Sequence, residues 1–142
     1  MIYLDTSCLL KLFLKDPESE AARDALDAES GVIISSLTEL EADVQLRAAA
    51  LGGKIRPSEY RHHQARLIAL RNMEPFHFQQ LSGDVFQTAL QQHRRPQSVY
   101  LRPLDRMHLA AMECLRLSRL LTFDKMQAQA ARTLAFSVII PN

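Results

Sequence analysis

Short runs of apolar residues alternate along this chain with longer segments that have the hydrophobic periodicity of helices. The runs are rich in Val, Ile, Leu and Phe, which is typical of buried strands. They lie near residues 2–5, 32–35, 74–78, 119–123 and 137–140. The helical segments lie near residues 6–14, 18–29, 37–51, 57–72, 82–93, 103–117 and 125–135. This alternation predicts crossover connections and a mostly parallel sheet that helices cover on both faces.

Length and composition fit one α/β domain spanning residues 1–142. Hydrophobic residues make up 47% of the chain and charged residues 23%, as in ordinary soluble proteins. No apolar run approaches the roughly 20 residues that cross a bilayer, and no signal-peptide pattern begins the chain. We therefore expect a cytoplasmic protein with no membrane partner. Cys8 and Cys114 lie in apolar, helix-like surroundings, which predicts buried, reduced thiols.

The net charge of +1 conceals an uneven distribution of charge. Residues 1–43 contain ten acidic and three basic side chains, whereas residues 44–142 contain six acidic and 14 basic ones. An acidic first third followed by a basic remainder favours a nucleic-acid partner.

Acidic residues follow two of the predicted strands. In a parallel sheet the strand ends and the helix N-termini share one edge, where ligands bind. Asp5 ends the first strand and Asp124 ends the fourth. Both must face the same crevice, so we expect the first strand to be central. An unpaired carboxylate at Asp5 is costly between two apolar segments, and a helix cap is the alternative explanation.

The segment "SSLTELEADVQL" contributes a third carboxylate. Ser36 and Glu39 have the spacing of a capping box, which gives Glu39 a structural role. Glu41 is turned about 200° from Glu39 on the helix. That face carries the apolar stripe of Leu37, Val44 and Ala48. Glu41 is therefore predicted to face inward and to need a partner, the alternative being a boundary residue that reaches water.

The segment "LRPLDRMHLAAMECL" contributes the fourth carboxylate. Pro103 begins a helix, and Asp105 lies in its first turn on the face of Leu109 and Met112. A first-turn acid also complements the helix dipole, which is the alternative explanation for Asp105. His108 follows one turn later, and we expect it to be a hydrogen-bonded core residue rather than a ligand.

Four carboxylates at one edge of a sheet repel one another unless a cation compensates them. Oxygen-rich ligation of this kind suits Mg²⁺ or Mn²⁺ rather than Zn²⁺. Such an ion activates water and neutralises phosphate. The acids therefore predict a metal site with hydrolytic chemistry. The four candidates are Asp5, Glu41, Asp105 and Asp124.

Four motifs in order carry a family resemblance: "YLDTS", "SSLTELE", "RPLDRMHLAA" and "LLTFDKMQAQAA" followed by "VIIP". The chain resembles a PIN domain and, more narrowly, the VapC-type ribonuclease toxins of bacterial toxin–antitoxin pairs. The match covers essentially the whole chain. It implies a PIN-like three-layer fold with a five-stranded parallel sheet flanked by helices, a Mg²⁺ or Mn²⁺ site, and cleavage of single-stranded RNA.

The resemblance also assigns site residues by position. The matching catalytic and metal-binding acids are Asp5, Glu41, Asp105 and Asp124, and the matching supporting hydroxyls are those of Thr6 and Thr122. One departure lies before the last strand, where relatives often have Gly and this chain has Ala135 and Phe136.

Partners follow from the same resemblance: an RNA substrate, a cognate VapB-type antitoxin whose C-terminal segment wraps the toxin, and a homodimer. The predicted fold uses all 142 residues, so we expect inhibition in trans. We expect an antitoxin Arg to pair with Asp5. We expect apolar antitoxin groups to dock between the first helices and the helical pair of residues 37–72.

Three alternatives remain open at this point. A catalytically silent module can bind only a protein partner, and an RNA-processing PIN nuclease can act outside any toxin–antitoxin pair. A phosphatase with an aspartyl nucleophile usually has a second Asp two residues after the first, where this chain has Ser7.

Overall fold

The computed structural model describes residues 1–142 as a parallel sheet flanked by helices. The strands are β1 (Ile2–Leu4), β2 (Val32–Ser35), β3 (Phe76–Gln79), β4 (Arg119–Leu121) and β5 (Ser137–Ile139). The helices are α1 (Thr6–Phe13), α2 (Ser19–Asp27), α3 (Ser36–Leu51), α4 (Pro57–Ala69), α5 (Asp84–Arg94), α6 (Pro103–Cys114) and α7 (Lys125–Thr133), with a 3₁₀ turn at Leu70–Asn72. Every predicted strand and helix is present, with ends shifted by a few residues.

The strand order is β3-β2-β1-β4-β5, so the first strand is central, as predicted. Tyr3 is in register with Ile33 on one side and Leu120 on the other. The carboxyl ends of β1 and β4 are therefore neighbours. This order brings the residues that follow these two strands to one edge of the sheet.

Alternate residues of β1 point into two separate cores. Ile2 and Leu4 belong to a cluster that includes Leu46 of α3 and Leu67 of α4. Tyr3 belongs to a second cluster, built largely from α5, α6 and α7. Burial on both faces explains why the strands are continuous apolar runs. The three-layer α/β architecture inferred from the sequence is confirmed.

The start of α3 corrects one prediction. Ser35, not Ser36, is the N-cap, because the Ser35 side chain accepts a hydrogen bond from the backbone N–H of Thr38 at 3.2 Å. The Ser36 hydroxyl instead accepts a hydrogen bond from the backbone N–H of Leu81 at 3.1 Å. The predicted capping box of Ser36 and Glu39 is therefore wrong, and tertiary contacts decide which serine caps the helix.

The core-facing stripe of α3 also differs from the prediction. Its buried residues include Leu37, Ala42 and Leu46. Val44 is 57% exposed and Ala48 is also exposed, so the apolar pattern at these positions lies on the surface.

The two cysteines have different environments. Cys8 is buried, as predicted, whereas Cys114 is exposed, which corrects the prediction for that residue. Cys114 is the last residue of α6, and its Sγ lies 3.3 Å from Thr88 Oγ1. None of the helices combines the length and the apolar character needed to cross a membrane.

Candidate active site

Asp5 lies directly after β1 and is only 4% exposed. It occupies the N-cap position of α1, but its side chain makes no capping hydrogen bond. Its Oδ2 instead accepts hydrogen bonds from Ser7 Oγ at 2.7 Å and Thr122 Oγ1 at 2.8 Å. Capping therefore does not account for this carboxylate, which two hydroxyl groups hold in place.

Glu41 reaches the same region from α3. Its Oε1 lies 2.5 Å from His108 Nε2, and the same nitrogen lies 3.9 Å from Asp5 Oδ1. The Glu41 side chain is 17% exposed, so the inward orientation expected from the sequence is confirmed. Thr6 Oγ1 lies 3.5 Å from His108 Nε2. His108 thus connects carboxylates from two elements of the fold.

The imidazole of His108 is buried among acids and hydroxyls. Burial alone would lower its pKa, but interaction with the Tyr3 hydroxyl, the hydrogen bond to Glu41 and the charges of Asp5 and Glu41 raise the pKa to about 10. The protonated ring donates from both nitrogens. Nε2 donates to Glu41, and Nδ1 donates to the Tyr3 hydroxyl at 2.8 Å. The Tyr3 hydroxyl lies 2.7 Å from Ser35 Oγ. His108 is therefore the hydrogen-bonded core residue that the sequence indicated.

Asp124 follows β4 and caps α7. Its Oδ1 accepts hydrogen bonds from the backbone N–H groups of Met126 at 2.9 Å and Gln127 at 3.0 Å. Thr122 joins the two strand ends, because its hydroxyl donates to Asp5 Oδ2 and accepts from the backbone N–H of Asp124 at 2.9 Å. Asp5 and Asp124 are thus linked through one threonine.

Asp105 lies in the first turn of α6, with its side chain 15% exposed. Its Oδ2 accepts a hydrogen bond from Arg102 Nε at 2.8 Å. Asp105 and Asp124 line one cavity of ≈ 230 Å³, to which Tyr100 and Arg102 also contribute. This cavity brings the fourth acid to the edge of the sheet occupied by the other three.

All four carboxylates share one pattern of hydrogen bonding. Each commits one oxygen to donors within the protein and leaves the other without a hydrogen bond. The uncommitted atoms are Asp5 Oδ1, Glu41 Oε2, Asp105 Oδ1 and Asp124 Oδ2. No three acidic, histidine or cysteine side chains approach closely enough to hold one metal ion between them. The acids therefore lie in pairs. Asp5 and Glu41 meet at His108, Asp5 and Asp124 are joined through Thr122, and Asp105 and Asp124 line the small cavity.

The sequence model of the PIN-domain family matches residues 2–133, from the second residue of the chain to the end of α7. The chain belongs to the PIN-domain family. Ribonuclease VapC46 of Mycobacterium tuberculosis is 32% identical to this PIN domain over an alignment of 143 positions, which covers 99% of this chain and 98% of the relative.

Solved structures show the same fold. Mycobacterium tuberculosis VapC20, described as a toxin that cleaves the sarcin–ricin loop, superposes on this PIN domain with a TM-score of 0.76 at 16% identity. The superposition covers 99% of this chain and 100% of VapC20. A toxin–antitoxin complex from Klebsiella pneumoniae contains a chain that superposes with a TM-score of 0.67 at 20% identity, over 100% of this PIN domain and 98% of that chain.

Two contributors to the site were missed by sequence reasoning. From the sequence, Ser7 stands out only as a departure from the phosphatase pattern, yet its hydroxyl donates a hydrogen bond directly to Asp5. Tyr3 was read only as a strand residue, although it carries the hydrogen bond that fixes His108. The available signal was a hydroxyl group within a strand otherwise built from aliphatic residues, since a buried hydroxyl needs a partner.

Proposed function

We propose that this PIN domain is a metal-dependent endoribonuclease that cleaves single-stranded regions of RNA and acts as the toxin of a toxin–antitoxin pair. The observation that carries the proposal is the gathering of Asp5 and Glu41 at His108, with Asp124 joined to Asp5 through Thr122. The identity to Ribonuclease VapC46 along nearly the whole of both chains supports the same activity.

The donor set supports a hard divalent cation. Every acid of the site keeps one carboxylate oxygen free of hydrogen bonds, and Mg²⁺ and Mn²⁺ prefer oxygen ligands. When bound, such an ion neutralises the phosphate, activates a water molecule and stabilises the leaving oxygen. The proposed ligands are Asp5, Glu41, Asp105 and Asp124, whose side chains would have to move closer together on binding the ion than the pairs they form in this structure.

The remaining residues of the site position these acids before a substrate arrives. Ser7 and Thr122 fix the Asp5 carboxylate, and His108 fixes that of Glu41. A positive charge on His108 also offsets the electrostatic repulsion between the carboxylates of Asp5 and Glu41. Thr6 and Thr122 are therefore positioning residues, the first acting through His108. Preorganised charge of this kind is a large contributor to catalysis.

Cleavage of end-labelled single-stranded RNA by the purified protein tests the activity. We expect cleavage with Mg²⁺ or Mn²⁺, loss of cleavage in EDTA, and slower cleavage of the same sequence in a duplex. Equal cleavage in EDTA would contradict the metal requirement. No cleavage under any condition would favour the silent binding module. Mapping of RNA ends after brief expression then identifies the sequence that is cut.

The groove between α1 and the α3–α4 pair supports a peptide partner. It contains a cavity of ≈ 530 Å³. Its lining residues include the apolar Phe13, Leu14 and Ile55 and the basic Lys15 and Lys54. His63, which is 9% exposed, also lines it, and His63 Nδ1 has no hydrogen-bond partner. We infer that a VapB-type antitoxin segment docks here and that one of its Arg side chains pairs with the free oxygen of Asp5.

Co-expression tests the toxin and its partner together. We expect growth arrest when the chain is expressed alone, and normal growth when the short reading frame adjacent to its gene is expressed with it. Arrest should also vanish with Asp5→Asn. Equal growth in all cases, with the protein soluble and abundant, would leave the toxin proposal without support.

The homodimer implied by the family remains a proposal. Leu40, Val44 and Leu51 form an exposed apolar stripe on α3, at 61%, 57% and 73% exposure. A second copy packed on this stripe would remove it from water. Light scattering of the purified chain gives the mass directly, and Val44→Glu should reduce a dimer to a monomer.

A further inference from the structure

Arg106 is a buried cation without a counter-ion. It lies in the first turns of α6, is 4% exposed, and takes part in none of the ion pairs of the protein. The only hydrogen bond of its side chain runs from Nη2 to the backbone carbonyl of Val99 at 2.7 Å. Its Nη1 is buried and has no hydrogen-bond partner. Burying an uncompensated charge is costly, so this arrangement calls for an anion.

Arg106 forms part of the wall of a cavity of ≈ 480 Å³ between α5 and α6. The rest of the wall is mainly apolar and aromatic, and includes Leu90, Met107, Phe86 and Tyr100. Phe86 is 63% exposed and Tyr100 is 74% exposed, so both rings are open to a ligand. A guanidinium group beside free aromatic faces suits a phosphate that is attached to a planar ring.

Tyr100 also lines the ≈ 230 Å³ cavity that contains Asp105 and Asp124. The aromatic cavity and the acidic site therefore share a wall. Arg102, the other arginine of that region, is already paired with Asp105 at 2.8 Å, whereas Arg106 has no acidic partner. An RNA strand with one phosphate beside Asp105 and Asp124 can therefore extend across Tyr100 towards Arg106.

We propose that Arg106 and Tyr100 form a binding subsite for the nucleotide adjacent to the phosphate that is cleaved. The phosphate of this nucleotide pairs with Arg106, and its base stacks on Tyr100. This inference rests on the ribonuclease function proposed above. It adds a substrate-binding surface on α6 and on the segment that precedes it, outside the acidic site.

Binding of a fluorescein-labelled single-stranded RNA of randomised sequence, about 8 nucleotides long, tests the subsite by fluorescence anisotropy. The Asp5→Asn background keeps the RNA intact, and salt is varied in each titration. The variants are Arg106→Met, which keeps the apolar stem but removes the charge, and Tyr100→Ala at an exposed position. Tyr100→Phe and Arg23→Met are the matched controls, because the first keeps the ring and the second removes an exposed charge on α2.

We expect Tyr100→Ala to weaken binding about 10-fold and Tyr100→Phe to have little effect. Arg106→Met should reduce the slope of log K against log salt by about 0.7, the value of one phosphate contact on a single strand. Arg23→Met should leave binding unchanged. Circular dichroism of each variant confirms folding, and Tyr100→Ala keeps the test valid even if Arg106→Met unfolds.

Two results would overturn the subsite while leaving the ribonuclease in place. One is binding by Arg106→Met and Tyr100→Ala equal to that of Arg23→Met. The other is a change of oligomeric mass in these variants with unaltered RNA binding, which would assign the cavity to a contact between protein copies. Absence of both cleavage and RNA binding by the unsubstituted chain would instead refute the proposed function itself.

Discussion

The junction after β1 and the junction after β4 have the same sequence signature, an aspartate between a buried strand and a helix, yet the two side chains do different things. Asp5 makes no capping hydrogen bond and is held by hydroxyl groups from Ser7 and Thr122. Asp124 caps α7 through two backbone N–H groups. The comparison shows that an N-cap position does not determine the role of its side chain.

The difference lies in what each junction contributes to the stability of the fold. The carboxylate of Asp5 is almost fully buried, lies near Glu41 and His108, and stabilises no helix end. The carboxylate of Asp124 stabilises a helix with one oxygen and leaves the other free. Substitutions at Asp5 should therefore change activity more than stability. At Asp124, effects on activity and on stability can be separated.

The largest effect is expected at the β1 junction. Asp5→Asn preserves the shape and can still accept hydrogen bonds from Ser7 and Thr122, but it removes the charge. We expect RNA cleavage to fall on the order of 1000-fold, because metal-assisted stabilisation of the transition state is worth several kcal/mol. Initial rates on labelled RNA measure this. Asp27→Asn, at an exposed position on α2, is the control and should keep full activity.

Two glutamates of α3, Glu41 and Glu39, are expected to respond differently to loss of charge. Glu41→Gln should reduce cleavage on the order of 100-fold, because it removes the carboxylate beside His108. Glu39→Gln disturbs only the surface pair with Arg71 and should cost at most about 1 kcal/mol of stability with unchanged cleavage. If Glu39→Gln abolished cleavage and Glu41→Gln did not, the assignment of the acid would be wrong.

The raised pKa of His108 predicts a pH dependence that belongs to the β1 junction alone. Its ordinary pKa is 6.5 and its folded pKa is about 10. Since folding raises this pKa, the stabilisation is fully present below about pH 6.5 and is lost as pH rises through about 10. Urea unfolding in metal-free buffer should show this loss. Glu41→Gln should flatten the profile, and parallel profiles for the two proteins would refute the explanation.

At the β4 junction, two substitutions of Asp124 separate charge from capping. Asn is as good an N-cap as Asp, so Asp124→Asn should keep the stability of α7. Asp124→Ala should lose about 1 kcal/mol of the free energy of unfolding. Both variants lack the charge and should lose cleavage activity equally. A much larger loss of activity in the Ala variant would mean that the cap also positions the site.

The smallest effect is expected beyond β4, in the turn that leads to β5. Ala135 has a φ of 62°, a left-handed conformation that Gly adopts more readily. Ala135→Gly should raise the free energy of unfolding by about 0.5 to 1 kcal/mol without changing cleavage. Ala65→Gly, at an exposed position in α4, is the control and should lower it by about 1 kcal/mol. Loss of stability in both variants would contradict the strain at Ala135.

The fold could be predicted because each strand is buried on both faces and each crossover contains a helix. These features leave a continuous apolar run such as Ile2–Leu4 beside a longer periodic segment. The placement of Asp5 and Asp124 followed from parallel-sheet geometry, and the neighbouring ends of β1 and β4 confirm it. The ligand roles of the acids remain predictions.

Other features depended on contacts that no local pattern contains. Ser35 and Ser36 are both capping types, and the choice between them follows from contacts with Tyr3 and with Leu81. The partner of Glu39 is Arg71, 32 residues away in the sequence. The helical period of Val44 and Ala48 indicated one apolar face, but a period cannot distinguish a core face from an exposed one.

The central position of β1 has a consequence for how the protein is made. Asp5 and Thr122, whose side chains bond directly, are 117 residues apart in the chain. A ribosome adds roughly 5 to 20 residues per second, so Asp5 is made roughly 6 to 23 seconds before Thr122. The nascent chain therefore cannot assemble the proposed site before residue 124 has been added. The order of the elements along the chain thus delays assembly of the proposed site until most of the protein has been made.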